Sequence, residues 1–131
     1  MHIIDSHCHF DDERFDPDRD AAYQRACEAG VMAQILPAVS NRLWPKLKRV
    51  TAVYAGLYAA YGLHPVFLAE HRTEHLNALR TWIERERPVA VGECGLDYFI
   101  PGLDPDSQIY YFTAQLRLAR DYNLPVIIHA R

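Results

Sequence analysis

His7 and His9 are the residues of this chain whose type and spacing most directly offer chemistry. They lie in the run Asp5-Ser6-His7-Cys8-His9, behind the apolar lead-in Ile3-Ile4. In a strand, residues two apart point to the same face, so both imidazoles project together while Ile4, Ser6 and Cys8 face the other way. Two imidazoles on one face suit a divalent metal. The pair alone does not define a site, because such pairs also occur on exposed strands and near chain starts.

Three further residues share the same address near the carboxyl ends of apolar runs: His64 after Gly62-Leu63, Glu93 between Gly92 and Cys94-Gly95, and His129 after Val126-Ile127-Ile128. A buried carboxylate such as Glu93 needs a compensating charge. A lysine or arginine could supply it, but a metal supplies it more naturally; His129 taken alone could be a satisfied core histidine. Separate accidents would have to place every one of these groups at the same end of consecutive strands. Imidazoles plus a carboxylate, with positions left for water, match a catalytic zinc or manganese site better than a closed structural one. Such a metal lowers the pKa of bound water towards ~7, and two metals clamp both oxygens of an in-line displacement, so hydrolysis is the chemistry to expect.

The elements that must position these groups alternate along the chain. After the first strand, Phe10 to Phe15 reads as a polar loop, and Asp16-Pro17-Asp18 predicts a helix start, with Ala22, Ala26 and Ala29 on one face and Gly30 at the C-cap. Val31 to Val39 is a buried strand, Leu43, Leu47, Val50 and Tyr54 mark a second helix, and Leu57 to Leu63 is a third apolar strand. Strand two contributes no obvious chemical group. Thr73 predicts the cap of a third helix with Leu76, Leu79 and Ile83 as its stripe, followed by a fourth strand over Val89 to Glu93. Asp104-Pro105-Asp106 opens a fourth helix with Ile109, Phe112, Leu116 and Ala119 aligned, and Val126 to His129 is a fifth strand. Five strands alternating with four helices predict right-handed βαβ units and a parallel α/β sheet, either open and doubly wound or part of a (β/α)8 barrel. In both, active sites form at the carboxyl edge of the strands.

The chain has 131 residues, half of them hydrophobic, which is enough for a single domain with a real core over residues 1–131. A net charge of −3 argues against a broad basic nucleic-acid surface, so any nucleic-acid contact would be local or metal-assisted. Cys8, Cys27 and Cys94 are odd in number and scattered, a reducing-compartment pattern, and Cys8 and Cys94 are expected to be small core residues rather than ligands. With no charged leader before an apolar stretch and no bilayer-spanning run, the expected location is the cytoplasm, with no membrane partner.

The ordered set Asp5-Ser6-His7-Cys8-His9-Phe10, Gly62-Leu63-His64-Pro65, Val91-Gly92-Glu93-Cys94-Gly95-Leu96-Asp97 and Leu124-Pro125-Val126-Ile127-Ile128-His129-Ala130-Arg131 resembles the TatD family of metal-dependent hydrolases over the whole chain. The resemblance implies a TIM-type (β/α)8 barrel, two divalent metal ions (zinc, manganese or magnesium) and hydrolysis of DNA or another phosphodiester substrate. It implies that His7 and His9 bind the first metal, that catalytic Glu93 bridges both, and that His129 binds the second. His64, Asp97 and Arg131 would line the substrate side. Family members have eight βα units, with a further ligand histidine after strand six and an aspartate after strand eight. The chain is therefore expected to be the amino-terminal five-eighths of the barrel, truncated at Arg131, with the remaining strands supplied by the rest of a parent chain. Two alternatives stay open: a catalytically silent fragment that binds metal or complements a second chain, and a related amidohydrolase acting on another ester or amide.

Overall fold

Each apolar run becomes a strand and each capped amphipathic stretch a helix in the computed structural model, which describes residues 1–131. The elements run β1 (Ile3–Asp5), α1 (Arg19–Glu28), β2 (Val31–Pro37), α2 (Trp44–Val53), β3 (Leu57–Tyr61), α3 (Glu74–Glu86), β4 (Ala90–Leu96), α4 (Pro105–Asp121) and β5 (Val126–Ala130). All strand pairs are parallel and the order is β1-β2-β3-β4-β5. This order never reverses, as a barrel requires and a doubly wound sheet forbids. The result is a curled half-barrel with helices on one face.

The core lies between sheet and helices. Leu36, Tyr61 and Val91 from the strands meet Trp44 and Leu47 of α2, Leu79 and Ile83 of α3, and Leu118 and Ala119 of α4. Burial of each large apolar side chain contributes about 1.5–3 kcal/mol. The Trp44 indole N–H, which would be costly unpaired at this depth, donates to the Gly62 carbonyl at 3.1 Å.

Several elements depart from the sequence pattern. β1 ends at Asp5, so His7 and His9 lie beyond the strand. The Asp5 carboxylate accepts the His7 N–H at 3.1 Å and turns the chain there, while the Cys8 N–H still donates to Ile35 of β2 at 3.0 Å. The histidines thus flank one ladder bond. Phe10 is buried, and the expected polar loop contains a short 3-10 turn, Glu13–Phe15, whose cap is Asp12. Asp16 does not open α1; its carboxylate is taken by Arg19 at 2.7 Å and Lys46 at 2.9 Å, and the helix starts after Asp18. Thr73 precedes α3 without a side-chain capping bond. Asp104 does cap α4, accepting the Ser107 N–H at 2.9 Å, but the face is rotated from the expected stripe. Ile109 and Leu116 are exposed while Gln108 and Gln115 are buried, because α4 faces strand ends whose backbone groups need polar partners.

Candidate metal centre

Close approach of three strands sets the site. A Cβ on Gly62 would stand 2.6 Å from the Gly92 carbonyl carbon, and one on Gly95 would stand 1.9 Å from the His129 oxygen. Gly95 also has φ of +145°, a conformation that side-chain-bearing residues rarely adopt. Glycines therefore let β3, β4 and β5 bring His64, Glu93 and His129 together. β2 contributes after all, through its backbone: the Glu93 N–H donates to the carbonyl of Ala38, just past the strand, at 2.9 Å. Glu93 accordingly sits inside β4, not at its end.

Glu93 is 4% exposed and stands at the centre of four imidazoles. Its Oε2 lies 2.9 Å from His7 Nε2 and 3.4 Å from His9 Nε2. Its Oε1 lies 3.3 Å from His129 Nδ1 and 3.5 Å from His64 Nε2. No lysine or arginine pairs with it, so the salt bridge that could have neutralised it is not made. The nitrogen and oxygen atoms of His7, His9 and Glu93, and those of His64, Glu93 and His129, lie within 4.8 Å of one another, close enough for a divalent cation on either side of the carboxylate, held by His7 and His9 on one side and by His129 on the other.

Burial opposes ionisation of Glu93, but hydrogen bonds from His64 and His9 and the surrounding imidazoles outweigh it and hold the carboxyl well below its usual range. His9 is raised from its ordinary value, chiefly by its hydrogen bond to Glu93. His64 has a different proton arrangement from a free ligand. Its Nδ1 accepts the Val66 N–H at 3.0 Å, so in the neutral ring Nε2 carries the hydrogen and donates towards Glu93.

Asp97 and Arg131 are joined to one another and to His129. Asp97 has no solvent exposure. Its carboxylate accepts from the backbone of Phe99 and Ile100 and faces His129 Nε2 at 2.8 Å. The Arg131 side chain is half exposed, with its Nε 3.2 Å from Asp97 and its guanidinium 4.6 Å over the Phe99 ring. Cys94 is a core residue as expected, its thiol pushed up to about 12 by burial, and Cys8 packs at the core margin. Beside His9 and His64 opens a cleft of about 470 Å³ whose rim includes Arg14, Arg42 and Lys46.

Gln108 and Gln115 escaped the apolar pattern because they are polar, although their seven-residue spacing on one helix was a signal. Each grips a backbone beside the site: Gln115 exchanges two hydrogen bonds with Leu63, next to His64, and Gln108 does the same with Asp97.

The model of the family described as TatD related DNase matches residues 4–131. The chain belongs to the TatD family. Among TatD relatives, it is 44% identical over 133 residues to an uncharacterized metal-dependent hydrolase, YjjV of Escherichia coli, covering 98% of this chain and 51% of the relative. It is 36% identical over 121 residues to the 3'-5' ssDNA/RNA exonuclease TatD of Erwinia amylovora, covering 90% of this chain and 46% of the relative. The crystal structure of the Escherichia coli TatD homologue YjjV superposes with a TM-score of 0.93 at 42% identity, over 98% of this chain and 51% of that one. A TatD family hydrolase from Entamoeba histolytica shares the fold, with a TM-score of 0.88 at 24% identity over the whole of this chain and 50% of that one. The chain thus spans about half the length of the curated TatD relatives it matches. No helix is long and apolar enough to cross a membrane.

Proposed function

We propose that this chain carries the central part of the metal site of a hydrolase that cleaves phosphodiester bonds in single-stranded nucleic acid. The observation that carries the reading is the division of one buried carboxylate, Glu93 Oε2 towards His7 and His9 and Oε1 towards His129. That is the disposition of a bridge between two divalent cations. His7, His9 and Glu93 would hold the first, and Glu93 with His129 would supply ligands to the second. Zinc, manganese or magnesium are the metals to test, and the histidine content favours the first two. Cations bound there supply Lewis acidity to a phosphoryl oxygen and acidify a water nucleophile.

The protein groups have separate tasks. Glu93 would share one carboxylate between two positive charges, and His64 donates to it without giving up a lone pair. Arg131, half exposed beside Asp97 and His129, offers a cation to an approaching anionic strand. The name of the Erwinia relative, an exonuclease on single-stranded DNA and RNA, supports this choice of substrate.

The test is metal analysis of the intact protein together with hydrolysis of single-stranded DNA in zinc, manganese or magnesium. Hydrolysis that disappears with a chelator and in Glu93→Gln, whose amide keeps the shape and loses the charge, is the expected result. Parent-like metal content and rate in Glu93→Gln would overturn the bridging role. Metal-dependent cleavage of other esters or amides but not of nucleic acid would overturn the substrate assignment.

A further inference from the structure

We propose that Asp97 is a positioning residue that fixes the tautomer of His129 and so decides which ring nitrogen faces the metal centre. The consequence rests on the two-cation reading above; the geometry does not. Asp97 is fully buried, so in this arrangement it touches no substrate. Both backbone polar groups of Asp97 are held before its side chain acts: the N–H donates to Gln108 Oε1 at 2.7 Å, and the carbonyl accepts from Gln108 Nε2 at 2.9 Å.

The carboxylate oxygens then divide. Oδ1 accepts the backbone N–H of Phe99 at 3.0 Å and of Ile100 at 3.1 Å. Oδ2 faces His129 Nε2 at 2.8 Å and Arg131 Nε at 3.2 Å. An ionised carboxylate accepts and never donates, so the hydrogen of this contact belongs to His129 Nε2. In the neutral ring Nδ1 is left with the lone pair, and Nδ1 is the atom that lies 3.3 Å from Glu93 Oε1. Two acceptors facing one another call for a cation between or beside them. The opposite tautomer would point an N–H at Glu93 and a lone pair at Asp97, leaving nothing on His129 to bind a metal on that side. A carboxylate behind a ligating imidazole orients the ring and selects the nitrogen in this way, and losing such a partner typically lowers metal affinity about 10–100-fold.

Asp97→Asn provides a sharp test. Phe99 and Ile100 still require an acceptor, so the amide oxygen stays on their side, the half-exposed Arg131 turns its Nε–H to solvent, and the amide NH2 faces His129 Nε2. That nitrogen must now accept, and the ring proton moves to Nδ1. Long-range proton–nitrogen spectra of the imidazoles in the intact protein read this directly, first metal-free at alkaline pH where the rings are neutral, then with zinc. In the parent, His129 should be protonated on Nε2 in both states. In Asp97→Asn it should be protonated on Nδ1 when metal-free, with zinc affinity by calorimetry about 10–100-fold weaker. A parent His129 protonated on Nδ1 would overturn the inference without any variant, as would an Asp97→Asn protein that keeps the Nε2 proton and the parent zinc affinity. Failure of the parent to bind zinc, manganese or magnesium would remove the two-cation reading, while the metal-free spectrum would still decide the tautomer.

Discussion

Gln115 and Leu63 are joined as two strands would be: the Leu63 N–H donates to Gln115 Oε1 at 2.8 Å, and Gln115 Nε2 donates back to the Leu63 carbonyl at 3.2 Å. β3 has ended by this point, so a helix side chain takes over the ladder for the residue just before His64. Both partners are essentially inaccessible to water. Gln115→Leu keeps the volume and strands the two Leu63 groups, each unpaired buried group costing about 1–3 kcal/mol. The expected result is a lower denaturant midpoint with faster amide exchange at Leu63. An unchanged midpoint would show that water replaces the glutamine.

Gly95→Ala is expected to be far more damaging than its size suggests. The added methyl would collide with the His129 carbonyl, which belongs to the β4–β5 ladder and has no side-chain freedom to yield. β5 must then separate from β4 and carry His129 away from Glu93. Low soluble yield, or a folded protein that has lost metal, is the expected outcome; a thermal melt like that of the parent would show that the strands can slide apart at little cost.

How much of this was legible beforehand depended on whether a residue acted through its side-chain type or through its surroundings. The parallel alternation and the address of His7, His9, His64, Glu93 and His129 follow from apolar runs and helix caps, which are local properties. The end of β1 does not, because the Asp5 carboxylate competes for the His7 N–H and a strand pattern cannot register that. Gln108 and Gln115 showed only their seven-residue spacing: their burial is decided by the backbone groups of Leu63 and Asp97, just past β3 and β4, which a helix pattern does not register. The place of Asp97 on the substrate side comes only from the family resemblance, and nothing in its motif shows that the Phe99 and Ile100 amides draw its carboxylate inward.

The cysteines should separate cleanly under alkylation. Cys27 is exposed, whereas Cys94 is fully buried with its thiol pushed up to about 12, and burial raises Cys8 as well. Because the thiolate is the reacting species, iodoacetamide at neutral pH should modify Cys27 first and leave Cys94 untouched until the protein unfolds. Peptide mass mapping over time checks the order. Early labelling at Cys94 would mean that β4 opens readily in the native state.

His64 and Glu93 should differ in what they remove. The Val66 N–H occupies His64 Nδ1 at 3.0 Å, and His71 Nε2 lies 2.7 Å from the His64 carbonyl, so backbone and ring are both held. Held in this way, the ring presents Nε2–H to Glu93 Oε1 and has no lone pair free on that side. His64→Ala therefore deletes a hydrogen bond to the bridging carboxylate but none of the donors His7, His9, Glu93 and His129. Metal should still bind, weakened by about 10–100-fold as for loss of an outer partner, whereas Glu93→Gln should remove the shared charge and abolish hydrolysis. Equilibrium metal titration of the two variants alongside the parent separates these cases. Complete loss of one metal in His64→Ala, with the other retained at parent affinity, would instead make His64 a ligand in its own right and require its ring to release Val66.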